Sequence, residues 1–191
     1  LSQICKVNLF GYDYSGYGSA SGSPSEKNTY GDIEAVYDYL ISHNIVKNPE
    51  KEVVLYGQSV GSGPSCKLAV TKSRPIRGMI LHSPILSGIR VLVQNRGPLC
   101  CCDIYPNINR IKKVTAPVLV IHGEHDQEVH FSHGENLHRN IPAPFQNEPC
   151  WIKDAGHNDI VENHPVEFFP AVSRFLRSLE PPDICESVVL V

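Results

Sequence analysis

The stretch Gly57-Gln58-Ser59-Val60-Gly61 lies between an apolar run and a helical one. A serine at such a strand-to-helix bend can do chemistry. At the apex of a strained turn its hydroxyl stands clear of the sheet. The amide of the next residue, Val60, can face a developing oxyanion near the positive end of the helix. Glycines at 57 and 61 would keep strand and helix from colliding there. A serine hydroxyl is nevertheless a weak nucleophile until a base takes its proton. The bend therefore demands an acid and then a histidine further along, each on a loop after a strand. Both are present: Asp126 three residues past Gly123, after "PVLVIHG", and His157 after "PCWIKDAG". The order Ser59, Asp126, His157 is that of an α/β-hydrolase, whereas the chymotrypsin and subtilisin orders differ.

Other readings of the bend fit less well. A phosphate-binding P-loop needs a lysine after its second glycine, and none follows Gly61 or Gly63. A dinucleotide fingerprint begins at Gly61 and Gly63, but Cys66 stands at the third glycine position. A turn that merely needs small residues would leave Ser59 incidental and would not require Asp126 and His157.

Each partner has rivals. Glu124 and Glu128 flank Asp126, which sits at the better distance from the strand. Asp154 and Asp159 flank His157 and read as loop-capping residues. His122, His125, His130, His133 and His138 cluster as a metal site would, but H-E-x-x-H is absent and the run carries the acid loop. His82, at a strand end, reads as a satisfied polar residue. No metal or organic cofactor is expected.

The elements that must position these groups alternate along the chain. Strands are expected at 5–13, 52–57, 77–84, 117–123 and 149–153, the first a buried one. A helix with Ile33, Val36, Tyr37, Leu40 and Ile41 on one face follows the first strand, opened by a capping box at Thr29 and Asp32. A short helix follows the bend, with Pro64 in its first turn. Helices near 131–140 and 165–179 come after the fourth and fifth strands. This alternation predicts a mostly parallel sheet with helices on both faces. The hydrolase domain covers 1–180, a lid-like segment about 84–115 lies over the sheet edge, and 181–191 is an apolar tail rather than a strand for a partner's sheet.

Composition excludes some classes. In 191 residues, 41% hydrophobic and 19% charged, no apolar stretch spans a bilayer and no long basic run suits nucleic acid. Seven cysteines, an odd number, read as free thiols, including the run Cys100-Cys101-Cys102, which lacks metal spacing. Leucine stands at position 1 and the one methionine is Met79, so the chain is expected to be a fragment.

The sequence resembles the α/β-hydrolase-domain-containing protein 17 family. The likeness is carried by "FGYDYSGYGSASGSPSE", "LYGQSVGSGP", "LHSPILSGIRV", "DIYPNINRIKKV", "PVLVIHGEHDQEVHFSHG" and "AGHND". The resemblance implies an α/β-hydrolase fold with N-terminal strands missing, a triad at Ser59, Asp126 and His157, and removal of palmitate from S-acylated cysteines of membrane-associated proteins. It also implies a place at the cytoplasmic face of membranes, through an acylated segment that this chain does not include. The strand that supplies the second oxyanion amide would lie upstream, between residues 5–13 and 52–57 in the sheet. An open slot is expected there, and the chain alone is expected not to work as an enzyme. Within the lid, Leu86, Ile89, Val91 and Leu92 would line an acyl groove. A lipid or small-molecule esterase or a peptidase would use the same triad, and a binding protein could keep the fold without the chemistry.

Overall fold

A computed structural model describes residues 1–93, 103–179 and 188–190. In chain order the elements are α1 Ser2–Cys5, β1 Asn8–Phe10, α2 Glu26–Ser42, α3 Pro49–Glu52 and β2 Val53–Gln58. Then come α4 Ser62–Ala69, β3 Gly78–His82, α5 Gly88–Val93, α6 Asn107–Arg110 and β4 Val118–Gly123. The last are α7 Ser132–Arg139, β5 Cys150–Ile152, α8 Ile160–Asn163, α9 Pro165–Ser178 and β6 Val188–Leu190.

Among the described residues six strands form one parallel sheet in the order β1-β6-β2-β3-β4-β5. Alternation along each central strand divides the core by face. Leu55, Met79, Leu81, Val118 and Val120 pack with Ile33, Tyr37 and Leu40 of α2 and with Cys66 and Leu68 of α4. Val54, Ile80, Leu119 and Ile121 point the other way, onto Phe168, Val172, Phe175 and Leu176 of α9. β2, β3 and β4 are buried on both faces, which is why they read as continuous apolar runs.

Several expectations are corrected. The first strand is only Asn8–Phe10, largely exposed, because α1 precedes it and Lys6 adopts a left-handed conformation at φ 53. α2 starts earlier than its apolar stripe, capped by Ser25, whose Oγ accepts the Asn28 amide at 3.1 Å. Thr29 and Asp32 are therefore no capping box: Thr29 donates to the Glu26 carbonyl, and Asp32 accepts from the Ser15 amide and hydroxyl. Ile41 is exposed.

The slot expected to stand open between β1 and β2 is filled. β6 pairs in parallel with both neighbours, Val188 opposite Asn8 on one side and opposite Val53 on the other. The end read as an apolar tail thus supplies a strand to its own sheet. Cys100, Cys101, Cys102 and Cys185 lie outside the described residues. Cys5, Cys66 and Cys150 are free thiols.

Candidate active site

β2 runs straight into the bend. Ser59 has φ 51, a left-handed conformation that a non-glycine residue adopts at a cost of about 1–3 kcal/mol unless its surroundings hold it there. What holds it is α4: the Ser62 hydroxyl donates to the Ser59 carbonyl, while accepting from the Ile85 amide and the Asn107 side chain at 3.2 Å each. The elbow is thereby tied to the segment after β3 and to α6. Gly57 must be glycine, because a Cβ there would come within 2.6 Å of the Gly61 carbonyl and of the Ser65 hydroxyl. Gly61 has room for a side chain, its closest neighbour being the Tyr14 hydroxyl at 3.7 Å. Only the first of the two glycine expectations therefore holds.

The loops after β4 and β5 are hydrogen-bonded to each other. The Glu124 amide donates to the Ile152 carbonyl at 2.9 Å, and His125 to the Ala155 carbonyl at 3.0 Å. This lacing brings Asp126 and His157 together: His157 Nδ1 lies 2.6 Å from Asp126 Oδ2. Asp126 Oδ1 accepts the Glu128 and Val129 amides at 2.9 and 2.8 Å. Burial alone would push the Asp126 carboxyl up. Hydrogen bonds from His122 and His157, then the Val129 amide and the nearby His157 charge, outweigh it and hold the group far below the usual carboxylate range. His157 is raised by its hydrogen bond to Asp126, against the opposing effect of burial.

Ser59 is half-buried and Val60 exposed, and both border two cavities that His157 also borders. One, of about 510 Å³, is apolar and lined by Ile85, Ile89, Val91, Ile104, Tyr105 and Val129. The other, of about 540 Å³, is less apolar and is lined by Tyr12, Tyr14, Tyr56 and Gln58. Of the expected groove residues, Ile89 and Val91 line the apolar cavity. Leu86 does not: it packs in the core, and its amide is bonded to His133 Nδ1 at 3.1 Å. The Leu92 side chain is outside the described residues.

The rivals disperse. Glu124 and Asp154 are exposed. Glu128 is exposed and accepts from Asn158, and Asp159 caps the Gly156 amide at 2.8 Å, as a loop-capping residue should. His125 and His130 are exposed, and His138 bonds the Asn147 carbonyl at 2.8 Å. Among the described residues no group of three or more His, Cys, Asp or Glu side chains is arranged to hold a metal ion. Two groups carried more than the residue reading assigned them. His82 is bonded through Nδ1 to the Tyr56 hydroxyl at 2.6 Å, but its Nε2 has no hydrogen-bond partner among the described residues. His122 reaches Asp126 itself. The i, i+4 spacing of His122 and Asp126 was visible, yet a strand end followed by a loop does not tell which pairs face each other.

With this geometry in view, similarity to known proteins becomes informative. A family model described as serine aminopeptidase, S33 matches residues 4–97. Alpha/beta hydrolase domain-containing protein 17B of Homo sapiens is 46% identical over 160 residues, 84% of this chain and 54% of the relative. The Caenorhabditis elegans protein aho-3, also an alpha/beta hydrolase domain-containing protein, is 44% identical over 80% of this chain and 44% of its own length. The chain belongs to the α/β-hydrolase-domain-containing protein 17 family. It spans about half the length of the curated relatives it matches. The Pyrococcus furiosus esterase Pf2001 superposes with a TM-score of 0.70 over 87% of this chain and 68% of the esterase, at 17% identity. A Paleococcus ferrophilus monoacylglycerol lipase gives 0.63 over 88% and 82%, also at 17% identity. These likenesses establish the α/β-hydrolase fold of this member of the protein 17 family.

Proposed function

We propose that this protein is a serine hydrolase that cleaves thioester-linked palmitate from S-acylated cysteines of membrane-associated proteins, through an acyl-enzyme. The observation that carries the reading is the 2.6 Å bond between His157 Nδ1 and Asp126, together with a half-buried Ser59 at φ 51 that lines the same apolar cavity as the imidazole. Asp126 occupies Nδ1, so Nε2 is the nitrogen left to act as base. Ser59 Oγ attacks the thioester carbonyl as its proton passes to His157 Nε2. The Val60 amide supports the oxyanion. Collapse expels the cysteine thiolate, which takes the proton back, and leaves an ester on Ser59. Water, deprotonated by the same imidazole, then releases the fatty acid.

The apolar cavity suits an acyl chain, and the mixed one, with its tyrosine side chains, suits the cysteine-bearing side of the substrate. That division favours acyl over peptide substrates. S-acylated proteins would meet the site at the cytoplasmic face of a membrane. Among the described residues no helix is long and apolar enough to cross a membrane.

A fluorophosphonate probe tests the serine and an acyl-exchange assay in cells tests the substrate. Labelling is expected in wild type and absent in Ser59→Ala, whose cells should retain palmitate on the substrates. Labelling that survives the substitution overturns the nucleophile. Labelling without any change in acylation points to a lipid or small-molecule ester.

A further inference from the structure

Asp126 holds His157, but something must also hold Asp126. Its Oδ2 has a second histidine beside it: His122 Nε2 lies 3.1 Å away, and the same nitrogen lies 2.9 Å from the Val129 carbonyl. Both neighbours are acceptors, so the hydrogen sits on Nε2 and is shared between them. The other nitrogen, Nδ1, has no hydrogen-bond partner among the described residues. The ring is fully buried and its space is cut to its thickness. α7 crosses it at Gly134, where a Cβ would lie 2.5 Å from Nδ1 and 3.1 Å from the His122 Cβ and Cγ. Phe131 meets it edge-on at 5.8 Å and 89°.

We infer that His122 is a positioning residue for Asp126, setting from the end of β4 the orientation of the carboxylate that in turn orients His157. The inference rests on the triad reading proposed above. A carboxylate on a loop can turn about its own side chain. Here Oδ1 is fixed by two amides and Oδ2 by two imidazoles, so turning breaks four hydrogen bonds. His122 also draws charge from Oδ2, the oxygen that stabilises the His157 cation. Its removal leaves that oxygen more basic and the imidazolium better held. The charged and titratable groups that share this surrounding are His82 from β3, His133 from α7, and Glu128 beside His157. The stretch "FSHG" gains a physical purpose: its glycine admits the His122 ring and its phenylalanine walls it.

Three variants separate positioning from packing. His122→Phe keeps a ring and removes the donor. His122→Gln keeps an N–H at similar reach. Gly134→Ala leaves His122 chemically intact and pushes on its ring. Two readouts are taken: the pH titration of the His157 imidazole by 15N NMR, and kcat and KM on a p-nitrophenyl acyl ester. In His122→Phe the His157 titration should move to higher pH and kcat should fall by about tenfold or more with KM little changed, as a misplaced catalytic group requires. His122→Gln should recover most of both, and Gly134→Ala should shift in the same direction as His122→Phe. An unmoved His157 titration in a folded His122→Phe protein overturns the inference. So does equal loss in the Phe and Gln variants. Wild type without Ser59-dependent turnover, but with the His157 titration shifted in His122→Phe, overturns the hydrolase reading and leaves the link between the three side chains standing.

Discussion

His82 and His133 are buried where a charge is poorly tolerated. Burial, helped by neighbouring imidazoles, pushes each down to about 4 from 6.5. A group depressed in the folded state contributes stability that is complete above 6.5 and lost as pH falls toward 4. Each can contribute up to about 3 kcal/mol, since one pKa unit corresponds to about 1.4 kcal/mol. Asp126 is held much lower and keeps its contribution through this range. Acid destabilisation should therefore begin with the histidines. Urea midpoints at pH 7 and pH 5 should differ clearly in wild type and less in His82→Asn, which keeps an acceptor for Tyr56; equal slopes would show that His82 takes no part. At the same scale, Asp126→Asn should lower turnover by up to about 10⁴ while the protein stays folded, because the imidazole loses its tautomer control and its counter-charge. A near-normal rate would move the acid to another carboxylate.

Among the elements, the one that decides the site is the turn between β2 and α4. Its strain is borne by a buried polar knot: Ser62 links the Ser59 carbonyl, the Ile85 amide and Asn107. Ser62→Ala leaves two buried donors short of an acceptor, each worth about 1–3 kcal/mol. Thermal melting should drop accordingly, and the apolar cavity, which Ile85 lines, should loosen, raising KM for long acyl esters more than for acetyl esters. An unchanged chain-length profile would separate the knot from the cavity. The strand-helix-strand alternation was legible because β2, β3 and β4 are covered on both faces and must be apolar throughout. The start of α2 is not legible in the sequence because its first turn, around the Ser25 cap, is exposed and carries no apolar stripe. β1 is shorter than the strand-like composition of "CKVNLF" suggests, because Lys6 breaks the backbone within it.

For the whole molecule the question is how the sheet stays continuous. β6 bonds to β1 on one side and β2 on the other, so among the described residues β1 joins the sheet through it. A domain with about 5–15 kcal/mol of total stability cannot lose a central strand cheaply. Val189→Pro removes a ladder donor from that strand, where proline is not tolerated. It should lower the melting temperature markedly and expose β1 and its following loop to proteolysis. Melting within a degree or two of wild type would mean that β6 is not a stable part of the sheet. The tyrosine-lined cavity that Ser59 borders should respond as well, since Tyr12 and Tyr14 reach it from the loop after β1.

The sequence by itself determined the alternating architecture, the bend at Ser59 and the chain order of Asp126 and His157. Each is a local matter: hydrophobic period, turn chemistry, and a functional group just past a strand end. Tertiary structure alone decided which strand fills the slot between β1 and β2, since three apolar residues near a chain end fit a tail and a strand equally well until hydrogen-bonding partners are known. It also decided that His122 faces Asp126, that Leu86 turns into the core and that Gly61 is under no steric compulsion. Those outcomes depend on which side chains meet across packed elements, and no spacing along the chain encodes that.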